Sequence, residues 1–123
     1  MAWLRRRRPA PPEPVVDPSL DAAHGRLSMI CEPPTRDVHR MIWKGAVPMI
    51  SIDGAAHIEL IWGTSDFELP VGTHRLRIHV RPGELPLDYK SIDHTVEIAS
   101  QRVLRLKYQA PAIPGFTARL RAL

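Results

Sequence analysis

Apolar residues occur at every second position along much of the chain beyond residue 25. In the segment from Thr73 to Arg81 they alternate with basic residues, with Leu76, Ile78 and Val80 set against Arg75, Arg77, His79 and Arg81. A period of two is that of a β-strand, whose successive side chains point to opposite faces. The segment is therefore predicted to form a strand with one buried face and one face that carries three arginines and a histidine.

Shorter segments with the same period predict the remaining strands: Arg26–Cys31, Pro48–Ile52, a strand marked by Ile58, Leu60 and Trp62, a short strand marked by Phe67 and Leu69, Ile92–Ile98 and Leu104–Tyr108. The dipeptide Asp53-Gly54 is typical of a tight turn. Six or seven strands with short connections predict an all-β fold, namely an antiparallel β-sandwich of about seven strands. Parallel crossovers would need intervening helices of about a dozen residues, for which these connections are too short.

The last two of these strands are predicted to pair as a hairpin, with a loop at residues 100–102. In that register Ile98 lies opposite Leu104, so the apolar residues of both strands share one face. Glu97 then lies opposite Arg105 on the polar face, where opposite charges stabilise the pair.

The N-terminal segment lacks this periodicity. Residues 1–24 combine the run Arg5–Arg8 with closely spaced prolines and little apolar surface. A segment of this composition buries too little apolar surface to offset the conformational entropy that it would lose on folding. We therefore expect a disordered basic tail at 1–24 and one β-sandwich domain at 25–123.

Two further segments are ambiguous. Residues 36–44 fit either a short helix, because Val38, Met41 and Ile42 have helical spacing, or a long loop. Prolines and a glycine interrupt the segment after Tyr108. This predicts a loosely packed tail with about one turn of helix at 117–122.

The 123-residue chain has a formal net charge of +4, which favours anionic partners only where the charge is clustered. The stretch after Glu97 holds basic residues and no acid: Arg102, Arg105, Lys107, Arg119 and Arg121. The candidates for anion binding are Arg5, Arg6, Arg7, Arg8, Arg75, Arg77, Arg81, Arg105 and Lys107. We interpret the arginine-rich strand face as a solvated surface; the alternative is a patch that binds nucleic acid or an anionic membrane.

Other residues give little indication of chemistry. Cys31 is the only cysteine and sits at a strand position, which favours a small buried side chain over a nucleophile. The six histidines lack metal-binding spacing, although His57 and Glu59 share a strand face. His74 is predicted to be a structural histidine at the edge of the core. We expect no enzyme activity, metal, cofactor or small-molecule substrate.

Three sequence stretches resemble a known group of domains: ISIDG (50–54), FELPVGTHRLRIHV (67–80) and HTVEIASQRVLRLKY (94–108). They are similar to PEGA-type β-sandwich repeats and related prealbumin-like bacterial domains, over about half of the chain. Ser100-Gln101 replaces the glycine usual in the last turn. The resemblance implies a sandwich that acts as an accessory or interaction domain, and it transfers no catalytic residue.

The leading hypothesis is a non-enzymatic module, in the cytoplasm, that contacts a protein partner or a second copy of itself. Its apolar residues exceed what a small sandwich needs to cover its core. The candidates for partner docking are Trp43, Trp62 and Phe116.

Overall fold

The computed structural model describes residues 15–33, 45–81, 83, 91–110 and 118–123. In these ranges the chain forms nine β-strands and no helix, which confirms the predicted all-β fold. The strands are β1 (Val15–Val16), β2 (His24–Glu32), β3 (Val47–Ile52), β4 (Ile58–Glu59), β5 (Thr64–Pro70), β6 (Gly72–Arg81), β7 (Ile92–Ile98), β8 (Arg102–Gln109) and β9 (Arg119–Ala122).

The strands form two sheets. Sheet A has the order β1-β8-β2-β5. Strand β1 pairs with the start of β8, and β9 pairs with the end of β8. Sheet B has the order β4-β3-β6-β7. The inner faces of both sheets contribute to one apolar core, from Leu27, Met29, Leu106 and Tyr108 of sheet A and Ile50, Leu76, Ile78 and Val96 of sheet B. The sandwich prediction is therefore confirmed.

Strand β6 has the predicted alternation. Leu76, Ile78 and Val80 are at most 2% exposed, whereas Arg75 and Arg77 are exposed. The strand is central in sheet B, with β3 on one side and β7 on the other. The turn at Asp53-Gly54 also forms as predicted, with φ of 53° and 76° at these residues, as a type I′ turn requires.

The predicted hairpin between the last two long strands is wrong. Strand β7 pairs with β6, where Ile98 lies opposite Gly72. Strand β8 lies in the other sheet and runs parallel to β2, where Leu104 lies opposite Leu27. Matching of apolar faces cannot distinguish these partners, because each of them also presents an apolar face at the same period.

The N-terminal tail prediction is wrong for residues 15–24. Val15–Val16 forms β1 against β8, and Leu20 is 4% exposed. Asp17 also binds Arg26 at 2.7 Å. Residues 1–14 lie outside the described residues, and so do residues 36–44, where a helix or a loop was predicted.

Two predictions at other elements need correction. Residues 119–122 form strand β9 on the edge of β8 instead of part of a helical turn. The strand predicted around Ile58 is only two residues long, and Ile58 is 46% exposed instead of buried. Leu60 is buried, as predicted.

Candidate functional site

The outer face of sheet B carries the arginine ladder, which we define as Arg75, Arg77 and Arg81. The Arg77 guanidinium donates from Nε and Nη2 to the two carboxylate oxygens of Asp93, at 2.7 and 3.1 Å. Arg81 Nη1 lies 2.5 Å from Glu59 Oε1. Asp93 and Glu59 belong to β7 and β4, the strands at the two edges of sheet B, so Arg77 and Arg81 are neutralised from opposite sides.

Arg75 is the member of the ladder with an exposed side chain and, among the described residues, no carboxylate within ion-pair distance. Its charge still acts on Asp93, whose pKa is lowered first by the hydrogen bond from Arg77 and then by the charges of Arg77 and Arg75. Glu97 lies further along β7 and accepts a hydrogen bond from Thr73. Three arginines thus share this face with Asp93, Glu59 and Glu97, and the face has little net charge.

His79 does not add to this positive charge. Its ring makes an edge-on contact with that of His57, with centroids 4.6 Å apart. Partial burial, followed by the neighbouring His57 and Arg77, lowers the pKa of His79. The ring is therefore neutral at pH 7.

Arg105 and Lys107 do not extend the ladder, because β8 belongs to sheet A. Arg121 lies opposite Lys107 in the β8–β9 pair, and Arg119 lies opposite Gln109. Lys107 Nζ is 3.0 Å from Glu32 Oε1. We call the set Arg105, Lys107, Arg119 and Arg121 the β8–β9 basic face.

A shallow concavity of about 460 Å³ adjoins this face, at the edge where β9 and β7 approach each other. Its described lining contains cations and no acid: Lys107, Arg119 and Arg121, with His94, Gln109, Ile92, Ala118 and Leu120. A second groove, at the ladder, is lined by acids as well as arginines, including Asp53 and Asp93. The first concavity is thus the one with positive potential.

His74 has the structural role predicted for it. Nδ1 donates to Asp53 Oδ2 at 2.5 Å and Nε2 donates to the carbonyl oxygen of Pro70 at 2.6 Å. Both partners only accept, so both ring nitrogens carry protons and the imidazole is cationic. The bond to Asp53 is the main cause of the raised pKa of His74, and the bond to Pro70 adds to it. The ring ties the turn after β3 to the turn before β6.

Cys31 is 2% exposed in β2. Burial raises the pKa of its thiol to about 11. Because the thiolate is the nucleophilic form, this thiol is unreactive at neutral pH. The interpretation of Cys31 as a small core side chain is supported.

One group of potential metal ligands was not found from the sequence. Oxygen or nitrogen atoms of Asp21, His24 and Glu68 all lie within 4.8 Å of one another. Asp21 Oδ1 is 2.7 Å from His24 Nδ1, and this bond raises the pKa of His24. A metal ion would have to displace the proton held there, and three ligands are one fewer than a closed zinc site uses. The geometry is that of a hydrogen-bonded ion pair beside a second carboxylate.

The docking candidates are placed as follows. Trp62 packs against the core, and its Nε1–H donates to the carbonyl oxygen of Ala46 at 2.9 Å. The fold therefore uses both the apolar and the polar part of Trp62. The neighbouring Ile61 is 60% exposed and Ile58 is 46% exposed; we call these two residues, which lie on and just after the edge strand β4, the exposed apolar pair. Trp43, Phe116 and the run Arg5–Arg8 lie outside the described residues.

Comparison with known proteins gives no match: no family model, curated protein or solved structure is significantly similar to the chain. In the described part of the chain, no helix has the length and apolar character needed to cross a membrane.

Sequence reasoning identified Arg105 and Lys107 but missed their neighbours as site residues. The available signal was the acid-free stretch after Glu97, which contains Arg119 and Arg121. That signal could indicate a basic segment. It could not indicate that β9 returns to pair with β8, which is what brings the four cations onto one face.

Proposed function

We propose that the protein is a non-enzymatic module that acts by contact with a protein partner or with a second copy of itself. The resemblance to PEGA-like accessory domains supports the same proposal. We place the module in the cytoplasm, which cell fractionation would check. The non-enzymatic part of the proposal is supported by His74 and Asp53, which bind each other, and by Cys31, whose side chain is buried in the core.

The observation that carries the proposal is the exposed apolar pair, Ile58 and Ile61. They are 46% and 60% exposed, on either side of Leu60, which is 4% exposed. The pair lies on and just after β4, an edge strand of two residues. Exposed aliphatic side chains beside a short edge strand give a partner an apolar surface to contact.

Photo-crosslinking in living cells tests this proposal. A benzophenone amino acid replaces Ile61, and a matched probe replaces Val71, which is 45% exposed at the turn between β5 and β6. We expect a discrete crosslinked product from position 61, absent from position 71 and lost when Ile58→Asp is added. Products that are equal at both positions, or that persist with Ile58→Asp, would contradict the proposal.

A second candidate function is binding of a polyanion or an anionic membrane through Arg5–Arg8 and the arginine ladder. The ion pairs of Arg77 and Arg81 weaken the ladder's part in it. The β8–β9 basic face favours it instead. On a heparin column, Arg105→Glu with Arg121→Glu should lower the salt needed for elution, whereas Arg75→Glu with Arg77→Glu should not. The opposite result would assign binding to the ladder.

A further inference from the structure

Strand β9 is an edge strand with unused hydrogen-bonding capacity. It pairs with β8 along one side, and among the described strands none pairs with its other side. An open strand edge presents alternating N–H and C=O groups that an extended peptide can match. Residues of β9 also line the concavity of about 460 Å³, together with residues of β8 and β7.

The charge at this edge is unbalanced. Arg119 and Arg121 are exposed, and the described residues place no carboxylate within ion-pair distance of either. Lys107, which is paired with Glu32, lies next to Arg121. An anionic chain that approaches β9 would therefore meet two cations whose charges are not compensated.

We propose that the edge of β9 and the β8–β9 basic face bind an extended acidic segment of a partner protein, which adds to sheet A as a further strand. This inference rests on the proposed function, because it names the chemistry of the partner. Arg119 and Arg121 are two residues apart, so their side chains repeat at about 6.6 Å along one face of the strand. Carboxylates at alternate positions of an added strand have the same repeat.

The concavity also indicates which residues occupy the remaining alternate positions of the added strand. Leu120 points to the inner face of β9, opposite Tyr108, and Ile92 of β7 lies across the concavity. A strand added to β9 would point its second set of side chains toward these apolar groups. The preferred sequence therefore alternates acidic and apolar residues.

A long polyanion fits this face less well than a short acidic segment. Strand β5, at the far edge of sheet A, carries Asp66 and Glu68 on the same outer face, because they lie opposite Ser28 and Arg26. Three strand spacings separate β5 from β9, which is roughly 14 Å. A nucleic acid duplex or a membrane laid across the sheet would meet these acids, whereas a peptide along β9 would not.

Fluorescence anisotropy with synthetic peptides tests the inference. The probe is a fluorescein-labelled peptide that alternates glutamate with valine and threonine, Glu-Val-Glu-Thr-Glu-Val-Glu-Thr. One control replaces each glutamate with lysine. A second control keeps the charge but replaces the central valine and threonine residues with proline, which cannot complete the hydrogen bonds of an added strand. A third probe is an oligothymidylate of equal charge.

We expect the acidic peptide to bind and both control peptides to bind at least about tenfold more weakly. Arg119→Glu with Arg121→Glu should weaken binding by a similar factor, and Arg75→Glu with Arg77→Glu, the same double charge reversal on the other sheet, should not. Circular dichroism of the variants shows whether they fold, as exposed substitutions should permit.

Three results would overturn the inference. Equal binding of the proline peptide would exclude strand addition. Equal binding of the oligothymidylate, with the same dependence on Arg119 and Arg121, would show a general polyanion site. No peptide binding, while crosslinks from position 61 persist, would reject the acidic partner and leave the proposed function in place; loss of the crosslinks alone would reject the proposed function.

Discussion

Gly25 packs closely against the connection between the two sheets. It lies near the start of β2, below the connection that carries the chain from β7 to β8. A Cβ atom at this position would lie 2.4 Å from the carbonyl oxygen of Ala99 and 2.6 Å from Cγ2 of Ile98. We predict that Gly25→Ala destabilises the protein, because neither distance leaves room for a methyl group.

The expected cost follows from which atoms would have to move. The Ala99 carbonyl belongs to backbone held by two further hydrogen bonds, from Gln101 N–H to the His24 carbonyl at 2.8 Å and from Ser100 Oγ to the Ala22 carbonyl at 2.7 Å. Overpacking of this kind costs about 1–3 kcal/mol. The lower entropy of alanine in the unfolded chain offsets about 0.4–1 kcal/mol. The difference between the midpoints of these two ranges is an expected net loss of about 1.3 kcal/mol.

Urea unfolding followed by circular dichroism measures this loss as a lower midpoint with an unchanged slope. Gly54→Ala is a comparison variant that isolates backbone strain, because a Cβ there meets nothing within 4 Å and any loss comes from the φ of +76°. Ile98 is 3% exposed, so Ile98→Ala lowers the midpoint by itself and serves as the reference for the double variant. Adding Gly25→Ala to Ile98→Ala should cost nearly as much as Gly25→Ala alone, since the carbonyl oxygen of Ala99 remains in place. A Gly25→Ala midpoint at or above that of the wild type, or a much smaller loss in the Ile98→Ala background, would refute the reasoning.

Three other predictions concern side chains of the folded body. The pKa of His74 is raised in the folded state, so this residue stabilises the folded protein fully below its ordinary pKa of 6.5, and the stabilisation is lost as the pH rises through the folded-state pKa. The pKa of Asp53 is lowered, so this residue stabilises the folded protein above its ordinary pKa of 3.8, and the stabilisation is lost as the pH falls through the folded-state pKa. Stability measured against pH should therefore be highest between these values, and the alkaline decline should flatten in His74→Gln; an unchanged decline would contradict the doubly bonded imidazolium. Cys31 should react with Ellman's reagent only at the rate of unfolding, and rapid reaction in the native protein would show that the thiol is accessible. Trp62→Phe removes the hydrogen bond to Ala46 and should cost about 0.5–1.5 kcal/mol in urea unfolding, whereas no loss would mean that water replaces it.

Local patterns predicted local structure well. The alternation in β6 and the turn at Asp53-Gly54 were both confirmed, because each depends on residues within a few positions of one another. The pairing of β8 with β2 was missed because it joins segments that are far apart in the sequence. The left-handed φ of 54° at Gln101 accompanies this connection, and its side-chain amide donates to the carbonyl oxygen of Leu20 at 2.7 Å. A tertiary contact thus supports a conformation that local preference would assign to glycine.

The ion-pair partners of the charged residues were also not predictable from local sequence patterns. The sequence shows that Arg77 faces solvent but not that Asp93, on the next strand, binds it. It also shows an acid-free C-terminal stretch but not that Arg119 and Arg121 return to β8. Which cations are neutralised depends on strand order and register, and these are set by long-range pairing.

The distribution of charge across sheet A has a consequence for binding that measurements at different salt concentrations can test. At physiological ionic strength the Debye length is about 8 Å, which is shorter than the roughly 14 Å between β9 and the acids on β5. Asp66 and Glu68 therefore reduce the potential at Arg119 and Arg121 only slightly under these conditions. At 0.01 M salt the Debye length is about 30 Å, and the acids then act on the whole face. Affinity for a short acidic peptide should consequently rise less steeply on dilution of salt than counterion release from a long polyanion would require. A steep increase would mean that the bound anion contacts more cations than β8 and β9 supply.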